Sequence, residues 1–176
     1  EVKNLKDHGN LVPVYRQIQA DLETPVSAFL KVAESPYSFL LESVEGGERL
    51  GRYSFIGTQP YKVLKTGVRG VKNWEDPLLG VQAELERYRI VQIPDLPRFH
   101  GGAVGYLSYD VISYFEPKIR LPAIDNLGVP QSIFMFTDTL VIFDHLQKDI
   151  KVVSHARLDG DIETSYGEAI KRIDSI

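Results

Sequence analysis

The sequence has no cysteine among its 176 residues, so no disulfide framework and no thiolate metal site can form, and nothing in it calls for an oxidising compartment. The cytoplasm is the expected location. No stretch approaches the roughly 18 apolar residues of a membrane span, and the opening EVKNLKDHGN lacks the apolar run of a signal peptide. An excess of positive charge is missing too. Twenty Lys and Arg against 24 Asp and Glu leave a formal net charge of -4, which offers no general attraction to nucleic-acid phosphates or anionic membranes. There is no repeat of fixed period, no low-complexity tract and no Asn-X-Ser/Thr sequon. What is there is an ordinary 43% hydrophobic content, sufficient for a buried core. A soluble protein with a small organic ligand or a protein partner fits this composition.

The chain reads as one structural unit over residues 1–176, because no linker-like composition divides it. LVPVYRQIQ at 11–19 mixes β-branched, aromatic and polar residues and predicts a strand. Thr24 followed by Pro25 is an N-cap with proline at the first helical position, and Val26, Phe29, Leu30 and Ala33 continue at helical spacing up to Ser35-Pro36. Residues 37–44 and 53–56 predict a hairpin around Gly46-Gly47, and 61–66 with 68–74 a second one around Gly67. Asp76-Pro77 repeats the cap signal, with Leu78, Val81, Leu85 and Tyr88 as the apolar stripe of a helix. GGAVGYLS at 101–108 predicts a buried strand whose glycines admit close neighbours, and 110–115 a helical turn. Residues 132–143 and 150–155 predict two strands joined around HLQKD, and 162–176 a helix with Ile170 and Ile173 on one side. Paired strands with interspersed single helices, and no regular strand-helix-strand alternation, indicate an α+β fold of mixed or antiparallel sheet layers with flanking helices. The last helix ends without a cap or breaker, so the natural polypeptide is expected to continue.

Several tempting chemistries fail on spacing. Gly101, Gly102 and Gly105 match neither the dinucleotide fingerprint nor the phosphate loop, and close strand packing explains them better. His8, His100, His145 and His155 show no metal-ligand spacing and are expected in turns and on the surface, and Asp144 and His145, being adjacent, face opposite sides of a strand. Lys62, Lys65, Arg69 and Lys72 form a loose basic run on a solvated hairpin. No catalytic residue and no metal ligand is assigned.

The segment SFLLESVEGGERLGRYSFIG, residues 38–57, holds more interest. On a regular strand Tyr37, Phe39, Leu41 and Ser43 share one face while Ser38, Leu40 and Glu42 share the other. Arg52 and Ser54 then oppose Tyr53 and Phe55, and together these residues make a pocket wall that is half apolar and half polar. A hairpin with a hydrophobic inner face and a polar tip accounts for the same pattern.

LLES at 40–43, GRYSFIG at 51–57 with Gln59-Pro60, FHGGAVGYLSYD at 99–110, YFEP at 114–117 and FDH at 143–145 occur in an order that resembles the amino-terminal region of anthranilate synthase component I. The resemblance runs from about Val12 to His155. It implies a regulatory layer of a larger subunit whose chorismate-binding domain, on the same polypeptide, eliminates enolpyruvate with Mg2+ and ammonia, the ammonia coming from a glutamine amidotransferase subunit or domain. No cofactor is implied for these residues themselves. It also implies feedback by L-tryptophan through Leu41, Glu42 and Ser43, with Arg52, Tyr53 and Ser54 as further contacts. The family's Asn-Pro-Ser-Pro-Tyr-Met stretch, which the resemblance implies completes the tryptophan pocket, and its acidic metal-binding helices are absent, so this chain alone is expected to be inactive. The related aminodeoxychorismate synthase component and a stand-alone ligand-binding module are the competing readings.

Overall fold

The computed structural model of the chain describes residues 5–20, 22–34, 36–42, 51–67, 76–116, 118–120 and 127–176. In chain order the elements are β1 (Leu11–Gln19), α1 (Pro25–Val32), β2 (Phe39–Glu42), β3 (Tyr53–Gly57), β4 (Lys62–Thr66), α2 (Pro77–Leu85), β5 (Gly102–Leu107), a 3-10 turn (Tyr109–Val111) running into α3 (Ile112–Phe115), β6 (Ser132–Thr137), β7 (Thr139–Asp144), β8 (Asp149–Arg157) and α4 (Ile162–Ser175). This is the α+β arrangement expected from the sequence. The fold divides into two compact units, one of residues 1–60, 88–102 and 137–176, the other of 61–87 and 103–136.

The first unit is a five-stranded sheet in the order β1-β8-β7-β3-β2, every neighbouring pair antiparallel. Direct partners in such a sheet share a face, so the register sorts the side chains. Leu40, Ile56, Val141 and Val152 stand in one row across four strands. With Phe143, Ile150, Ala28 of α1 and Ile173 of α4 they form the main buried core. Helix α1 starts where the sequence says it should. Thr24 Oγ1 accepts from the Ser27 amide at 3.1 Å and Ser27 Oγ accepts from the Thr24 amide at 2.9 Å, a capping box that satisfies two otherwise unpaired amides. At the other end of β1 and β8, Val12, Ala156, Leu158 and Ala169 make a second cluster with Val91.

The second unit is a three-stranded sheet in the order β4-β6-β5 with helix α2. Strand β4 pairs antiparallel with β6, whereas the predicted hairpin partner at 68–74 lies outside the described residues. On α2 the predicted stripe is corrected. Pro77, Val81 and Glu84 are buried while Leu78 and Leu85 are substantially exposed. Glu84 turns inward because it is neutralised there: Lys62 Nζ lies 2.5 Å and Arg87 Nη1 3.2 Å from its Oε2. Burial alone would raise its pKa, and these cations outweigh that and hold it below the ordinary carboxylate value.

Two further expectations change. Residues 132–143 are not one strand but two, β6 and β7, interrupted at Asp138 and belonging to different sheets. Apolar and β-branched residues flank the break on both sides and conceal it. At the break Thr137 Oγ1 donates to the Thr139 carbonyl at 2.8 Å, and Thr139 Oγ1 donates to the Asp138 side chain at 3.1 Å. Strand β5 is half-exposed to exposed rather than buried, yet its glycine does admit a close neighbour. A Cβ on Gly105 would lie 1.9 Å from the Ile133 carbonyl oxygen. Among the described residues no helix is long and apolar enough to cross a membrane, and no group of three His, Cys, Asp or Glu is placed to hold a metal.

Candidate functional site

The register divides four of the six candidate residues, Leu41, Glu42, Tyr53 and Ser54, between the two faces of the five-stranded sheet. Leu41, Phe55, Ile142, Lys151 and Gln17 stand in one row, and Tyr53, Asp144 and Asp149 in the next row on the same face. Glu42 and Ser54 are direct partners on the opposite face, which α1 and α4 cover. Ser43 lies outside the described residues.

On the first of these faces an aromatic wall is assembled. The Tyr53 and Phe55 ring centroids are 6.1 Å apart, and Phe99 meets Phe55 edge-to-face at 5.2 Å and 81°, a favourable aromatic geometry. Leu41, half-exposed, continues the wall at the sheet edge. Beside it Arg52 places its guanidinium carbon 4.8 Å from the Tyr53 centroid and grips Asp144 through Nη2–Oδ2 at 2.6 Å and Nε–Oδ1 at 3.1 Å. Asp144 is buried. Burial would raise its pKa, but Arg52 and the amides of Gln147 and Leu146 prevail and hold it below the usual carboxylate value. Burial and the neighbouring Asp144 charge raise the Tyr53 phenol, which is therefore neutral. Further into the sheet Lys151 Nζ lies 2.9 Å from Asp149 Oδ1, both groups buried, with Gln17 donating to Asp149 Oδ2 at 2.6 Å.

On the opposite face Ser54 is buried and its Oγ lies 2.8 Å from His145 Nε2. Asp144, the last residue of β7, and His145, in the turn that follows, thus serve different partners. Glu42 is exposed at the end of β2. An open cleft of about 360 Å3 lies between the start of α1 and the β7–β8 turn, lined among others by Thr24, Pro25, His145, Lys148 and Asp149.

Sequence reasoning missed Phe99 as part of the wall and Asp144 as the partner of Arg52. The two ion-pair members stand 92 positions apart, a separation at which one sequence carries no pairing signal. It also misplaced two histidines. His100 and His155 are buried, stacked at 5.2 Å and joined through His100 Nδ1 and His155 Nε2 at 3.0 Å, not exposed in turns.

No protein-family model matches the chain. Among curated proteins, the chain is 39% identical over 186 residues to anthranilate synthase component 1 of Acetivibrio thermocellus, an alignment covering 100% of this chain and 37% of that protein. It is 42% identical over 174 residues to a probable anthranilate synthase component 1 of Schizosaccharomyces pombe, covering 97% of this chain and 34% of the relative. With anthranilate synthase component 1 of Synechocystis sp. it shares 41% identity over 185 residues, 96% of this chain and 36% of the relative. Among solved structures, anthranilate synthase component I of Streptococcus pneumoniae TIGR4 superposes with a TM-score of 0.49 at 24% identity, over 89% of this chain and 36% of that one. The chain therefore spans about a third of the length of the curated relatives it matches. Over almost its whole length, this chain is similar to about a third of the length of these anthranilate synthase component 1 sequences.

Proposed function

We propose that this chain is the tryptophan-sensing portion of an anthranilate synthase component 1, a cytoplasmic lyase of tryptophan biosynthesis that converts chorismate and ammonia to anthranilate and pyruvate. Its partners in this reading are a chorismate-binding domain of the same polypeptide, which carries the catalytic groups and their Mg2+, and a glutamine amidotransferase that supplies ammonia. The chain alone is inactive. The observation that carries the reading is the 39% identity that runs through all of this chain and only 37% of the relative.

L-Tryptophan is the proposed effector, at Leu41, Glu42, Ser43, Arg52, Tyr53 and Ser54. Leu41 and Tyr53, with Phe55 beside them, offer the indole an aromatic and aliphatic surface. Burying roughly 150–250 Å2 there contributes about 4–6 kcal/mol before binding costs. Arg52, partly exposed beside the wall, suits the carboxylate, Ser43 adds a hydrogen bond worth about 1 kcal/mol, and Glu42, exposed on the opposite face, flanks the end of β2. Ser54 and His145 support β3 from behind. Feedback follows if tryptophan prefers the less active arrangement of the whole subunit by about 1–3 kcal/mol.

A chimera tests the assignment. With this chain in place of the corresponding segment of the Acetivibrio thermocellus relative, chorismate and ammonia should yield the fluorescence of anthranilate. Aminodeoxychorismate as product, or a folded chimera that turns over neither, would refute it.

A further inference from the structure

Phe99, the aromatic residue that completes the wall, comes from the irregular segment before β5, and its immediate neighbour His100 makes the buried contact with His155. His155 shares a sheet face with Lys151 and Val153, the same face that carries Phe55. Consecutive residues of the segment therefore both land on the wall side of the sheet.

The protons of the pair can be placed. His155 Nδ1 lies 2.8 Å from the Asp138 carbonyl oxygen, which only accepts, so the His155 proton is on Nδ1. In a neutral ring Nε2 then carries the lone pair, and it accepts from His100 Nδ1–H. Once both rings carry a second proton, no tautomer is left to accept, and two N–H groups face each other at 3.0 Å. Both rings are held neutral: burial, and then the neighbouring His155, bring the His100 pKa down to about 4, and burial likewise lowers that of His155. The charged groups facing the pair are Asp138, whose charge favours protonation of His155, and Arg172, which opposes it and donates through Nη2 to the His155 carbonyl at 2.7 Å. The residue between Phe99 and β5 fits the same close approach. A Cβ on Gly101 would stand 2.7 Å from His155 Cε1.

The geometry points to His100 and His155 as a neutral imidazole latch that positions Phe99 against Phe55, so that the third member of the aromatic wall is seated by a hydrogen bond that proton uptake breaks. That the seated ring then contributes to effector binding rests on the proposed tryptophan site, whereas the latch itself does not. His100 and His155 are positioning residues in this account, not ligand contacts.

The sign follows from the lowered values. Unfolded histidine titrates near 6.5 and the folded pair well below it, so the stabilisation by the latch is complete above about pH 6.5 and is lost as pH falls towards 4. The test is nuclear magnetic resonance on the 176-residue chain. At pH 7.5 the imidazole nitrogens should report Nδ1–H on both rings, and a cross-relaxation contact should join the Phe55 and Phe99 rings. That contact should weaken at least several-fold between pH 6.5 and 3.5 while the β1–β8 backbone contacts persist. His100→Asn, whose amide nitrogen can donate to His155 Nε2 and whose amide oxygen can accept from it once protonated, should keep the Phe55–Phe99 contact at both pH values, and His100→Leu should lose it at both. Protonated Nε2 on His155 at pH 7.5, or a Phe55–Phe99 contact indifferent to acid in the wild type, would overturn the latch. An intact latch in a chimera whose anthranilate formation ignores tryptophan would instead refute the effector reading alone.

Discussion

The two faces of the five-stranded sheet are built on different principles. One face is covered by α1 and α4 and is centred on aliphatic and aromatic carbon, in the row Leu40, Ile56, Val141, Val152 and its neighbours, with neutral hydroxyls such as Ser54 and Ser154 around it. The other carries the Asp144–Arg52 and Asp149–Lys151 pairs, the Phe55–Phe99 contact and the histidine pair. Hydrophobic burial is non-directional and tolerates substitution of one apolar group by another of similar volume, whereas buried charges require each partner to be present. The first face therefore holds the sheet together, and the second specifies where individual groups sit. Sites depend on the latter property.

The largest expected effect is on the charged face. Lys151→Met leaves the Asp149 carboxylate buried with Gln17 but no cation, and should cost about 3–5 kcal/mol in urea unfolding, while the double change Asp149→Leu with Lys151→Met should recover most of it. If the single and double variants were equally destabilised, packing would be the contribution of Lys151. On the apolar face Ile56→Ala removes methyl groups from the centre of the core and should cost about 2–5 kcal/mol by the same measurement, with no second-site charge able to rescue it. The smallest effect is electrostatic. Arg52→Ala should raise the Asp144 pKa, read from its carboxyl carbon shift. Because the folded value lies below the unfolded one, the stabilisation by Asp144 is present at neutral pH and lost as pH falls through the acid range, and the variant should flatten that loss.

Local signals in the sequence were easy to read. Thr24-Pro25 and Asp76-Pro77 mark the starts of α1 and α2, and the alternation in 11–19 marks β1, because caps and periodicity act between near neighbours. The β7–β8 and β2–β3 pairings were legible for the same reason. What could not be read depends on distance. The break at Asp138 hides between two runs of strand-forming residues that a single Asp separates, and Glu84 looks like a solvent-facing carboxylate until Lys62 is brought to it. His100 and His155 carried no spacing that announced a partner, since the contact arises from a segment folding back on the sheet. For the candidate site, the LLES and GRYSFIG strands were recognisable, but their division into an aromatic face with Leu41 and Tyr53 and a buried Ser54 behind it needed the register.

Tryptophan inhibition of the chimera, measured with Ser43 intact and with Ser43→Leu, tests the central claim most directly. Anthranilate formation should be inhibited by tryptophan in the first and persist largely uninhibited, at similar turnover, in the second, since loss of about 1 kcal/mol and a steric block fall on effector binding alone. Equal tryptophan inhibition of both would contradict the placement of the effector site on β2 and β3.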